Sequence, residues 1–71
     1  MPLNKNLAKA YHRVGKVYTR SKNYTVALNS MLQAIKVDEA YIPVYQDLGE
    51  LYYQLKKLDK AKEAYKKYLD L

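Results

Sequence analysis

Slid along itself by 34 residues, the chain falls onto its own pattern. Tyr11 meets Tyr45, Val14 meets Leu48, Gly15 meets Gly49 and Tyr18 meets Tyr52. Further on, Ala27 meets Ala61, Met31 meets Tyr65 and Val37 meets Leu71. Both glycines of the chain are in register. A period of this size marks a repeat architecture, in which each unit buries its apolar face against its neighbour. An isolated helical domain has no reason to repeat its large and small positions in this order.

The pattern inside each unit is helical. Tyr11, Val14, Val17 and Tyr18 recur at helical spacing and predict one buried stripe. A polar break follows at Ser21-Lys22-Asn23, with Asn23 as the expected N-cap of a second helix. Val26, Ala27, Met31, Ala34 and Ile35 form that helix's stripe, and Asp38-Glu39-Ala40 is the next break. Pro43 suits the first turn of a third helix, where its missing N–H costs little. Leu48, Leu51, Tyr52 and Leu55 give the third helix its buried face. Lys56-Lys57 mark a turn, and Leu58, Ala61, Ala64, Tyr65, Tyr68 and Leu69 line a fourth helix. The spacing predicts helices over roughly 5–20, 24–37, 41–55 and 58–70. Loops this short join antiparallel neighbours. No strand pattern competes.

Each glycine falls in the middle of a predicted helix, where it costs about 1 kcal/mol against Ala. A cost met twice implies close approach of the partner helix, with Ala27 and Ala61 as the expected small counterparts of Gly15 and Gly49. Tyr11 and Tyr18 flank the contact in one unit, and Tyr45 and Tyr52 in the other.

This order of residues resembles the tetratricopeptide repeat (TPR): a large aromatic, Leu-Gly, Tyr, Ala, an aromatic and finally Pro. A first repeat, Ala8–Tyr41, carries Tyr11, Val14-Gly15, Tyr18, Ala27, Met31 and Ala34. A second, Ile42–Leu71, carries Tyr45, Leu48-Gly49, Tyr52, Ala61 and Tyr65. Residues 1–7 form a lead-in. The resemblance implies an all-α fold: a right-handed superhelical stack of two helix-turn-helix hairpins, four antiparallel helices in all. Glu39 departs from the family pattern, which has Pro there, and Tyr68 stands where the first repeat has Ala34. A Tyr at that position crowds a following helix, and the second repeat stops at Leu71 without the polar helix that commonly caps such arrays.

The resemblance also implies a function: binding of a protein or peptide, without enzymatic chemistry. The first helix of each hairpin is expected to line a concave groove. Its groove candidates are Lys9, His12, Arg13, Lys16 and Arg20 in the first repeat, joined by Thr19. In the second they are Gln46, Glu50 and Tyr53, joined by Asp47 and Gln54. Lys9, Arg13, Lys16 and Arg20 are spaced 4, 3 and 4 apart, which puts all four on one helical face. Such a face can cradle an acidic segment, with Arg making paired hydrogen bonds and Lys supplying point charge. It can equally be a solvated face, partly neutralised by Asp47 and Glu50, which stand 34 residues after Arg13 and Lys16. Tyr53 is the expected aromatic anchor, because Tyr and Arg dominate binding hot spots. Some domains of this family hold the C-terminal carboxylate of chaperones with a Lys/Asn/Asn/Lys/Arg clamp spread over three repeats. Here His12 stands in place of the first Lys, Lys16 in place of an Asn and Gln46 in place of the second Asn, so that activity does not carry over.

Composition narrows the alternatives. The 71 residues make one small domain, of the size that is marginally stable without help. There is no Cys, which removes disulfides and thiolate metal sites. Thirteen Lys and Arg against seven Asp and Glu give a net charge of +6, which favours an acidic partner. Nucleic acid is the weaker expectation, since no basic run exceeds two residues and Asp47 and Glu50 interrupt the groove. His12 is the only His, so neither a catalytic triad nor a metal site is expected, and no cofactor motif is present. No apolar run approaches the ~18 residues of a membrane span, and the N-terminus lacks the apolar core of a signal peptide. A cytoplasmic protein is the default expectation. Self-association is the remaining one: Tyr68, Leu69 and Leu71 on the last helix are expected to leave an apolar edge, which favours pairing into a homo-oligomer.

Overall fold

A computed structural model describes residues 5–70. Met1–Asn4 of the lead-in, and Leu71, which was expected at the apolar edge, lie outside the described residues. Four helices follow one another: α1 (Lys5–Arg20), α2 (Tyr24–Val37), α3 (Pro43–Gln54) and α4 (Leu58–Asp70). There is no strand among the described residues. The fold is all-α, two helical hairpins stacked side by side. α1 packs mainly on α2 and α3 mainly on α4; the hairpins meet where α2 lies on α3 and α1 touches α3. α4 rests on α3 alone.

Three helices keep the bounds that the periodicity predicts. The third begins at Pro43 rather than at residue 41 and stops at Gln54, with Leu55 as its C-cap. Proline at the first helical position removes a donor that would be unsatisfied there anyway. Tyr41 stays in the preceding turn, its N–H donating to the carbonyl of Asp38. Asn23 is an N-cap through its backbone only: its carbonyl accepts from the N–H of Ala27, while its side-chain amide donates to the Ser21 hydroxyl.

Both hairpin turns close in the same way. Lys22 (φ 65°) and Lys56 (φ 61°) occupy the left-handed region. Around Lys22, the N–H of Asn23 reaches the Tyr18 carbonyl and that of Lys22 reaches Thr19. Around Lys56, the N–H of Lys57 reaches Tyr52 and that of Lys56 reaches Tyr53. This double bond pattern satisfies carbonyls that a helix end would otherwise leave orphaned.

The molecule is a slab, 35 × 27 × 13 Å. Its thin dimension is little more than one helix diameter, so the core is a single layer between neighbouring helices. It is built from Ala8, Ala27, Met31 and Ala34 of the first hairpin and from Val44, Tyr45, Leu48, Leu51, Tyr52, Ala61 and Ala64 of the second. Both glycines sit where a helix crosses close to its partner. A Cβ on Gly15 would stand 2.7 Å from Cγ of Met31 and 3.2 Å from the carbonyl oxygen of Ala27. A Cβ on Gly49 would stand 2.9–3.0 Å from the ring of Tyr65. The expected counterpart Ala27 is present at Gly15 through its backbone, but at Gly49 the aromatic ring of Tyr65, not Ala61, fills the space.

The expected stripes are only partly buried. Val14, Val17 and Tyr18 are exposed, although Leu48, Leu51 and Tyr52, one repeat later, are in the core. The reason is position in the stack: α3 has α1 and α2 on one side and α4 on the other, whereas no described element covers the outer side of α1. Leu58, Tyr65 and Leu69 are exposed at the opposite end for the same reason, and Val26 is exposed on α2.

Candidate peptide-binding cleft

The seam between the hairpins opens into a cleft of about 240 Å³. Met31 and Leu51, both almost fully buried, reach it from α2 and α3. Lys16 and Arg20 stand on the α1 side, and Asp47, Glu50 and Gln54 on the α3 side. The cleft is therefore apolar at depth and charged at the rim, with cations on one wall and carboxylates on the other. α1 contributes Lys5, Lys9, Arg13, Lys16 and Arg20 and no acid, whereas α3 contributes Asp47 and Glu50 and no base.

Sequence reasoning places His12 on this groove, but the structure buries it. The ring lies between α1 and α3, where Nε2–H donates to Oδ2 of Asp47. Nδ1 lies 3.5 Å from the hydroxyl of Tyr41, and the two rings meet edge to face with centroids 5.7 Å apart. His12 is thus a joint between the hairpins. Among the described residues, this is the one contact within 4 Å between a basic side chain and a carboxylate. It engages Asp47 with His12 rather than with Arg13, the partner that the repeat register suggested.

The remaining candidates divide. Lys16, Arg20 and Glu50 line the seam cleft, together with Thr19, Asp47 and Gln54. Lys9, Arg13 and Gln46 are exposed on the same helices but outside its lining. Tyr53 is 62% exposed and belongs elsewhere. It lines a second cleft of about 480 Å³ on the outer side of α3 and α4, with Leu58, Ala61, Tyr65 and Leu69. Tyr53 and the cations of α1 do not share a cavity.

The core residues around the clefts also hold polar groups in place. The Tyr45 hydroxyl donates to the carbonyl of Glu39 at 2.9 Å, tying α3 to the inter-hairpin turn. Burial, with Glu39 and Asp38 nearby, pushes this hydroxyl above the ordinary tyrosine value. The Tyr65 hydroxyl is pushed up by burial and then by Glu50, Asp47 and Tyr53. Asp38 is fully buried at the end of α2, where Oδ1 accepts from the N–H of Ala40 and Oδ2 has no protein partner. Sequence reasoning treated Asp38 only as a break residue. No group of three His, Asp or Glu side chains is arranged to hold a metal ion among the described residues.

The repeat register, the paired glycine contacts and the stacked hairpins agree with an independent comparison: a tetratricopeptide repeat family model matches residues 6–71. The chain belongs to the tetratricopeptide repeat family. Repeats of this family generally mediate protein–protein interactions and are typically non-enzymatic scaffolds. Two relatives share the pattern. One is Protein O-mannosyl-transferase TMTC3 of Homo sapiens, 34% identical over 65 residues, which are 92% of this chain and 7% of that protein. The other is Uncharacterized protein ycf37 of Porphyra purpurea, 32% identical over 65 residues, which are 92% of this chain and 38% of that protein. The chain therefore spans well under half the length of either relative. No solved structure matches it significantly. No described helix is long and apolar enough to cross a membrane.

Proposed function

We propose that this TPR pair binds a carboxylate-bearing peptide segment in the seam cleft. One observation carries the reading. Lys16 and Arg20 flank an apolar floor of Met31 and Leu51, and neither cation has a carboxylate within 4 Å among the described residues. Of the two acids on the opposite wall, Asp47 is already hydrogen-bonded by His12. A peptide with alternating apolar and acidic side chains matches this layout. Its apolar groups would reach the floor, and its carboxylates would take charge-assisted hydrogen bonds from Arg20 and Lys16.

Fluorescence anisotropy with a labelled Asp/Glu-rich peptide tests the proposal, with a neutral peptide and a single-stranded RNA of matched length as comparisons. The acidic peptide is expected to bind most tightly. Lys16→Glu and Arg20→Glu should each weaken it about tenfold or more, the loss of one hydrogen bond to a charged group. Glu50→Gln should strengthen it. Equal binding of all three probes, or tighter binding of RNA, would overturn the reading.

A further inference from the structure

The seam cleft carries both signs of charge, and the signs are sorted by helix. Lys16 and Arg20 come from α1, Asp47 and Glu50 from α3, and Met31 and Leu51 form the floor between them. Lys16, Arg20 and Glu50 are exposed, and none of the three has an opposite charge within 4 Å among the described residues. Asp47 differs: it is partly buried, and its Oδ2 accepts from His12. The α3 wall therefore offers one uncommitted carboxylate, that of Glu50, across an apolar floor from two uncommitted cations.

A ligand with carboxylates alone satisfies only one wall. Its acidic groups are drawn to Lys16 and Arg20 and repelled by Glu50, and like charges set side by side cost affinity. A ligand that also brings a cation turns that repulsion into a second ion pair. A short stretch of chain can do both. In an extended peptide alternate side chains share a face, so apolar residues at every second position can all turn to the floor. The long charged side chains between them can lean to either wall, with their aliphatic stems on apolar surface. Glu50 thereby acts as a filter. The net charge of +6 attracts any anion from a distance, and the α3 carboxylate then disfavours ligands that bring negative charge alone.

We infer that the seam selects a peptide of mixed charge, in which one apolar residue separates an acidic from a basic one, and that Glu50 sets this preference. The inference rests on the seam being the peptide site and adds the charge pattern of the partner.

Fluorescence anisotropy at about 0.15 M salt, where attraction beyond ~8 Å is largely screened, reads the preference. The probes are three labelled peptides with blocked ends. Glu-Leu-Lys-Leu-Glu presents the pattern in either chain direction; Glu-Leu-Gln-Leu-Glu lacks the cation; Gln-Leu-Gln-Leu-Gln is uncharged. Net charge alone ranks the second above the first, because it is the more negative. The inference ranks the first above the second by about threefold, the scale of one exposed ion pair. Glu50→Gln should reverse the order, weakening the first and strengthening the second. Glu50 is exposed, so the change leaves the core alone, and circular dichroism checks that helicity is retained. The paired change Lys16→Gln and Arg20→Gln should weaken both charged peptides. Two failures stand apart. If the charged peptides bind no better than the uncharged one, or if the paired change affects neither, the seam is not the peptide site and the inference falls with it. If they bind and respond to the paired change, but the wild type holds the peptide without Lys at least as tightly, or Glu50→Gln keeps the wild-type order, the seam reading stands and the mixed-charge preference is overturned.

Discussion

His12 of the first hairpin donates through Nε2–H to Oδ2 of Asp47 in the second. The bond links α1 and α3, which otherwise touch only narrowly, and the Tyr41 hydroxyl lies 3.5 Å from the ring's other nitrogen, Nδ1. Hydrogen bonds to charged groups are worth more than neutral ones, and a buried partner left alone costs extra. His12→Ala and Asp47→Ala should each lower stability by about 1–3 kcal/mol in urea unfolding. The double variant should lose less than the sum, with a coupling of about 1 kcal/mol. Strict additivity would mean that the pair contributes nothing as a pair.

Gly49 and Tyr65 predict an overpacking defect. Replacing Gly49 by Ala gains about 1 kcal/mol in helix propensity. It also drives a methyl into a ring at 2.9–3.0 Å, and overpacking of this kind costs typically ~1–3 kcal/mol. Gly49→Ala should therefore destabilise the fold on balance. In a Tyr65→Leu background the same change should become neutral or stabilising, and thermal melts of the four proteins separate the two effects.

The tyrosines predict the alkaline limit of the fold. Burial is the main cause that raises Tyr45, Tyr52 and Tyr65 above 10.0, and nearby carboxylates add to it: Glu39 and Asp38 for Tyr45, Glu63 for Tyr52, and Glu50 and Asp47 for Tyr65, which also feels Tyr53. The fold favours the protonated hydroxyl, so this stabilisation is intact below pH ~10 and is lost as pH rises through the higher folded values. Melting temperature should fall above that point. Tyr52→Phe should flatten the fall, as followed by circular dichroism at increasing pH. Tyr45→Phe should do the same but cost about 1 kcal/mol at neutral pH, because its hydroxyl donates to Glu39.

The fold was legible because a repeat states each contact twice. Gly15 and Gly49 announced the close crossings, and breaks at Ser21-Lys22-Asn23 and Lys56-Lys57 placed the hairpin turns. The clefts were less legible, for a reason tied to the same redundancy. Periodicity finds the apolar face of a helix but not whether a neighbour covers it, so Val14 and Val17 read as core like Leu48 and Leu51 while lying open. His12 read as a groove residue because its position along α1 is right. Its burial depends on a carboxylate supplied 35 residues away, with no counterpart in the second repeat, where Gln46 stands at the equivalent position. Tyr53 read as a groove anchor because an aromatic beside the core stripe can face either cleft.

The matching left-handed lysines, Lys22 and Lys56, bear on how the chain reaches its native state. Each cap lies within one hairpin and draws only on residues near it in sequence. Most contacts in the molecule are likewise internal to a hairpin. A topology of such short-range closures carries little loop-closure entropy and belongs to the rapid end of folding rates. The hairpin is then the kinetic unit, and docking along α2 and α3 is the step that joins two nascent units into one cooperative structure.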